Sequence, residues 1–279
     1  MIERAVMSCW TAPRRWLQQG GLALWSLSAL HLSRRFRELA LVADGHGIEL
    51  LSERLGLPFM DVELMPKTAP WTALTNVWAL GKLFAVAHEV KPFIHFDADV
   101  LVTAALPERV LRAQVTFERP VCHLSDPCPE VVSNLVLPAV WQSAIAAGKR
   151  TQWGCGMMGG TDAVRLSTWA AAALRVAETN AELLKERHGG RASMFLEQWS
   201  AARAFAVGDV EPLFRREHPD SRDEFFGSYL HLGGNTKVSV RNIERVADAL
   251  EREWPGQLAK CAALEAELMA SGELEATVW

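Results

Sequence analysis

Phe93-Ile94-His95-Phe96-Asp97-Ala98-Asp99-Val100-Leu101-Val102 decides how this chain is read. An apolar run broken only by His95 predicts a buried strand over 93–96, and that strand empties into two carboxylates one residue apart. Near-continuous apolar strands belong to parallel sheets covered on both faces. In such open α/β sheets ligands gather outside the carboxyl ends of the strands, which is where Asp97 and Asp99 stand. A turn at the strand's end lets both carboxylates reach one cation, and this D-x-D pattern suits a hard divalent ion whose other positions are filled by phosphate oxygens.

Working outward, the same rhythm repeats. Residues 4–8 read as a first strand that leaves through Trp10-Thr11-Ala12-Pro13, and a helix is expected over 14–33 from its spaced leucines. Residues 38–43 give a second strand ending in Asp44-Gly45, residues 48–55 a helix, and 59–64 a third strand. A long helix is expected over 70–90, stopped by Lys91-Pro92 because proline has no amide to donate. Beyond Asp99 the pattern loosens. Residues 114–117 and 121–124 read as a strand pair, 135–147 as a helix, 155–160 as a strand, and 163–187 as a helix capped by Asp162. Residues 192–206 follow as a helix, and 242–271 as a final amphipathic helix interrupted at Pro255-Gly256. The expectation is an α/β chain with a mostly parallel central sheet flanked by helices.

Composition narrows the possibilities. At 279 residues and 49% hydrophobic the chain can bury a real core, which excludes a disordered segment. Its net charge of −4 is spread without a basic stripe, so nucleic acid is not an expected partner. No signal-peptide core or membrane-spanning run is visible, and the five cysteines lack a C-x-x-C pair, so a reducing cytoplasm is the expected compartment. Eleven tryptophans stand against a single tyrosine, Tyr229. Trp10, Trp71, Trp78, Trp141 and Trp153 are candidates either for the core or for an acceptor-stacking surface, with Trp153 the residue expected to mark that surface.

Far downstream lies His231-Leu-Gly-Gly234-Asn-Thr-Lys237, spaced H-x-x-G-x-x-K. Imidazole is a competent Mn²⁺ ligand, glycine admits backbone close to phosphate, and lysine lies along a diphosphate as a point charge. Together with the D-x-D this pattern resembles retaining glycosyltransferase family 8, within the GT-A-fold enzymes that use nucleotide-diphospho-sugars. The Trp10-Thr-x-Pro13 opening, Asp44-Gly45-x-Gly47 and Gly159-Gly160 also look like an uncharacterised bacterial group of glycosyltransferase-like proteins.

The resemblance implies a single GT-A-like (Rossmann-like) domain over 1–240, with a C-terminal helical extension over 241–279 packed on it. It further implies a hexosyltransferase in which Asp97, Asp99 and His231 hold Mn²⁺ (or Mg²⁺) and the metal bridges the diphosphate of a UDP-sugar. Lys82, Asp97, Gly234 and Lys237 would then contact the donor, and Glu197 and Gln198 would line the sugar and face its anomeric carbon. Thr11 and Asp44, at the ends of early strands, read either as nucleotide contacts or as turn residues. Gln198 reads equally well as a plain helix residue. Two departures stand out: Gly154-Cys155-Gly156 replaces the family's Asn-Ala-Gly, and Val238-Ser239 replaces the usual proline and tryptophan. The acceptor, whether peptide, glycan or small molecule, is not readable. Two other readings remain: a haloacid-dehalogenase-like phosphotransferase built on Asp97 and Asp99, and a nucleotide-sugar-binding protein without turnover.

Overall fold

The computed structural model of the chain describes residues 1–12, 20–121, 131–187, 189–218, 225, 227–232 and 239–274. The strands are β1 Arg4–Cys9, β2 Glu38–Ala43, β3 Asp61–Leu64, β4 Phe93–Phe96, β5 Val100–Val102, β6 Thr116–Val121, β7 Gln152–Gly160 and β8 Tyr229–His231. Six of them form the main sheet in the order β3-β2-β1-β4-β7-β6, and β5 and β8 form a separate antiparallel pair. β1, β2, β3 and β4 run parallel, while β7 runs against both β4 and β6. This is the mainly parallel α/β sheet that the apolar runs imply.

Both faces of the sheet are covered, and the alternation of side chains along each strand shows it. Ala5, Met7, Cys9, Leu39, Leu41, Ile94 and Phe96 pack toward helix α1, Gly21–Ser33. Val6, Ala40, Val42, Phe93 and Phe117 pack on the other face, toward α3, Ala79–His88, and α6, Ala163–Thr179. The remaining helices are α2 Gly45–Ile48, α4 Glu108–Leu111, α5 Ala139–Ala146, α7 Ala181–Lys185, α8 Gly189–Met194, α9 Ser200–Ala204, α10 Val240–Glu253 and α11 Gln257–Ala270.

Three expectations change. The helix expected over 70–90 is a short 3-10 turn, Pro70–Ala73, followed by α3, with Leu74 out of helical geometry between them. The cause is Asn76, whose side-chain amide donates to the carbonyls of Leu184 at 3.0 Å and Arg187 at 3.1 Å, tying this stretch to α7 and the turn after it. The strand pair expected from 114–117 and 121–124 is instead one strand, β6, paired with β7; residues 122–124 lie outside the described residues. The helix expected over 163–187 ends at Thr179, because the Asn180 side chain accepts from Val136 N and donates to Val136 O and Val176 O, turning the chain into α7. Asp162 caps α6 as expected, accepting from Arg165 N at 3.0 Å.

At the other end, Gly256 at φ +85° separates α10 from α11 where Pro255-Gly256 predicts a break. Val246, Leu250, Cys261, Leu264 and Leu268 of these helices join the core on the α1 side. Glu265 makes a polar tie as well: its two oxygens accept from Gly20 N and Leu22 N at 3.0 Å each, satisfying amides that a helix start leaves bare. No helix of the described residues is long and apolar enough to cross a membrane.

Candidate functional site

Because β1, β2 and β4 are parallel, Cys9, Ala43 and Phe96 all end at one edge of the sheet. Asp97 follows β4 directly; its amide bonds to Gly156 O of β7 at 2.9 Å, and its carbonyl accepts from Val100 N at 3.1 Å, which closes a tight turn around Asp99. The turn delivers the chain into β5, whose antiparallel partner β8 sets His231 opposite Val100. Leu232 N then donates to Asp99 O at 2.9 Å. Strand pairing is thus what carries His231 to the D-x-D. One ligand atom from each of Asp97, Asp99 and His231 lies within 4.8 Å of the other two. Their side chains remain 23%, 14% and 20% exposed, so the cluster is sheltered yet open on one side. Two carboxylates and an imidazole are a donor set that fits Mn²⁺.

Behind this cluster lies a buried charge system. Lys82, on α3, sets its Nζ 2.6 Å from Asp97 Oδ1, 2.8 Å from Asp97 Oδ2 and 3.0 Å from Cys155 O, and forms an ion pair with Glu197. Glu197 is fully buried on a π-helical turn, Phe195–Trp199, that widens the helix between α8 and α9. Such turns recur at functional sites because they reset the direction of a side chain. Apart from the ion pair with Lys82, the carboxylate oxygens of Glu197 have no hydrogen-bond partner among the described residues.

The electrostatics follow from burial and neighbours. Burial pushes the Glu197 carboxyl up to about 7, with Lys82 pulling the other way. Burial also raises Asp97, again opposed by Lys82. For Lys82 burial alone would favour the neutral amine, but Asp97 and Glu197 hold the ammonium well above its ordinary range. Burial would likewise lower His231, yet hydrogen bonds to Asp99 and Glu118 bring it up to about 10. Acid groups therefore outnumber bases here, with Asp97, Asp99, Glu118 and Glu197 around Lys82 and His231.

The other expected residues fall in distinct places. Thr11 and Asp44 meet at the same sheet edge: Thr11 N and Oγ1 donate to Asp44 Oδ2 at 2.7 and 2.8 Å, and Gly47 N donates to Oδ1 at 2.8 Å. Asp44 thus caps α2 and ties the ends of β1 and β2. Gln198 is half-buried beside Glu197. Gly234 and Lys237 lie outside the described residues.

The acceptor surface expected at Trp153 is corrected. Trp153 is 1% exposed, stacked against Phe117, and its indole donates to Phe205 O at 3.1 Å, so its aromatic face is spent on the core. Trp10, Trp71 and Trp141 are buried too. Trp78 is 44% exposed, and its ring centroid lies 5.8 Å from Lys82 Nζ, at the border of the charge system. Sequence reasoning also misses Glu118, which accepts a hydrogen bond from His231 Nδ1 at 2.9 Å. Its one signal is a carboxylate beside Arg119 in the middle of the strand Thr116-Phe117-Glu118-Arg119-Pro120-Val121.

The chain belongs to a family of unknown function, DUF6734, whose model matches residues 16–264. No match is found among curated proteins. Among solved structures, the chain is similar to mouse xyloside xylosyltransferase 1 in its apo form, with a TM-score of 0.41 and 13% identity over 76% of this chain and 85% of that one. It is also similar to the glycosyltransferase GlyE of Streptococcus pneumoniae TIGR4, with a TM-score of 0.48 and 12% identity over 100% of this chain and 66% of that one.

Proposed function

We propose that the chain is a divalent-metal-dependent glycosyltransferase of GT-A type that moves a hexose from a UDP-sugar to an acceptor, with retention at the anomeric carbon. The observation that carries the reading is the meeting of Asp97, Asp99 and His231 at the carboxyl edge of a mainly parallel sheet, beside the buried Lys82–Glu197 pair. In this reading residues 1–240 form the catalytic unit and 241–279 an extension against α1. The three described cysteines are free and buried, which suits a reducing cytoplasm.

Asp97, Asp99 and His231 would hold Mn²⁺ or Mg²⁺, which when bound supplies Lewis-acid neutralisation of the departing diphosphate. An ammonium has three hydrogens, and those of Lys82 are met by Asp97, Glu197 and Cys155 O. Lys82 therefore acts first by fixing the orientation of Asp97, and it reaches a diphosphate only by exchanging one of these partners. The Glu197 oxygen not engaged by Lys82 gives a buried acceptor for a sugar hydroxyl, and Gln198 supplies an amide dipole beside it as charge develops at the anomeric carbon. Gly234 and Lys237 complete the diphosphate contacts on the strength of the family resemblance alone.

The test is UDP release from a panel of UDP-hexoses with Mn²⁺, with and without chelator. Release from at least one donor, abolished by the chelator, is the expected result. Phosphate release from phosphoesters with none from UDP-sugars would instead make the pair a phosphotransferase site, and donor binding without turnover would make the chain a binding protein.

A further inference from the structure

Glu118 is the buried carboxylate for which the chemistry above has no task. It is 1% exposed on β6, at the point where the ladder with β7 loses register: Phe117 faces Met158, but Arg119 faces Gly154. Two steps along β6 thus span four along β7. Irregularities of this kind re-aim side chains beside sites. The carboxylate that emerges accepts from His231 Nδ1 at 2.9 Å, bonds the backbone amide of Gly156, and lies 3.4 Å from Arg119 Nε.

Gly156 makes this contact possible. A Cβ built there would stand 2.5 Å from His231 Cε1, 2.6 Å from His231 Nδ1 and 2.6 Å from Glu118 Oε2, a separation real side chains do not tolerate. A side chain at 156 would have to push the Glu118 carboxylate and the His231 ring off each other, while the backbones behind them stay paired in the β6–β7 and β5–β8 ladders. The glycine that the sequence retains at this position is therefore the space into which the Glu118–His231 pair fits.

A neutral imidazole, the form that ligates a metal, has its lone pair on Nε2 when its Nδ1–H is donated to a carboxylate. In this molecule Nε2 is the nitrogen that faces the aspartates, 3.5 Å from Asp99 Oδ1. We propose that Glu118 is a positioning residue that holds His231 through Nδ1, so that Nε2 is the atom offered to the divalent ion, with Gly156 as the space that admits the pair. The proposal rests on the metal reading above and adds to it a carboxylate that no motif marks and a spacing role for Gly156. Partners of this kind orient a ligand and sharpen its basicity, and losing one weakens metal binding by roughly 10- to 100-fold.

The experiment is a titration of the full chain with Mn²⁺, read by the electron paramagnetic resonance signal of the free ion, for the parent chain, Glu118→Gln, Glu118→Ala and Gly156→Ala. Glu118→Ala is expected to bind Mn²⁺ roughly 10- to 100-fold more weakly, and Glu118→Gln, whose amide oxygen still accepts from Nδ1–H, to fall between it and the parent. Gly156→Ala is expected to lose affinity while keeping the parent's circular dichroism spectrum. If Glu118→Ala does not fold, the isosteric Glu118→Gln decides the matter. Affinity equal to the parent's in the foldable Glu118 variants overturns the proposal, even if their melting temperatures drop. A parent chain that binds no Mn²⁺ overturns the metal reading and this proposal together, so the two failures are told apart.

Discussion

Two buried bases, each ringed by carboxylates, sit at opposite ends of the same sheet, and they are built differently. At the amino end Arg4 is 7% exposed and reaches Glu89 at 2.9 to 3.2 Å, Asp61 at 2.9 Å, and Glu38. At the carboxyl end Lys82 is 6% exposed and holds Asp97 and Glu197. Arginine's planar fork spreads five donors over several carboxylates, whereas lysine's ammonium is a single point with three. The Arg4 cluster therefore closes on itself, and the Lys82 cluster leaves Glu197 short of donors, with Asp99, Glu118 and His231 ranged beside it. The difference teaches where structure ends and function begins. Equal burial of charge is a clamp where every acceptor is met, and a site where acceptors are left over.

The sharpest way to break the comparison is to remove each base's environment in turn. Arg4→Met strands Glu89, itself 5% exposed, and is expected to cost about 3–5 kcal/mol in urea unfolding, the usual penalty for orphaning a buried ion-pair partner. Parent-like stability in that variant would show that the amino-end cluster is no clamp. Asp99→Asn should do the reverse, leaving stability within about 1 kcal/mol because it relieves an excess of acid, while cutting metal-dependent UDP release by roughly 100-fold or more. An Asp99→Asn protein that unfolds readily but turns over normally would invert the assignment of the two clusters.

A subtler effect comes from pH. Glu197 is raised from its ordinary 4.5 to about 7, so the folded chain keeps a proton that the unfolded chain has released, and this group's contribution to stability falls as pH rises through that window. Glu197→Gln should flatten that part of the stability profile, measured as unfolding free energy against pH, and an unchanged slope would mean another group titrates there. The smallest effect belongs to Glu265, a buried carboxylate that is fully satisfied by the amides of Gly20 and Leu22. Glu265→Ala should cost about 0.5–2 kcal/mol, as lost helix caps do, and leave donor turnover intact.

Much of this contrast is legible in the residues, and the rest is not for identifiable reasons. The apolar runs at 38–43 and 93–96 become β2 and β4 because burial on both faces demands them, and the D-x-D falls at the sheet edge as a consequence. His231 enters through a spacing pattern. Glu118 has no such pattern, since its place depends on how β6 slips against β7, a pairing between segments separated by a region of irregular sequence. The break at Leu74 is set by Asn76 reaching carbonyls more than a hundred residues away, beyond what helical periodicity encodes. Trp153 and Trp78 look alike in sequence, and only packing separates the buried ring from the exposed one.

The central claim is that the Asp97, Asp99 and His231 cluster holds a divalent ion that in turn holds a nucleotide diphosphate. Calorimetric titration of UDP into the chain tests it directly. The account predicts saturable binding in Mn²⁺ that vanishes with chelator and in Asp97→Ala. Binding of UDP that is equally tight without metal, or that survives Asp97→Ala, would contradict it.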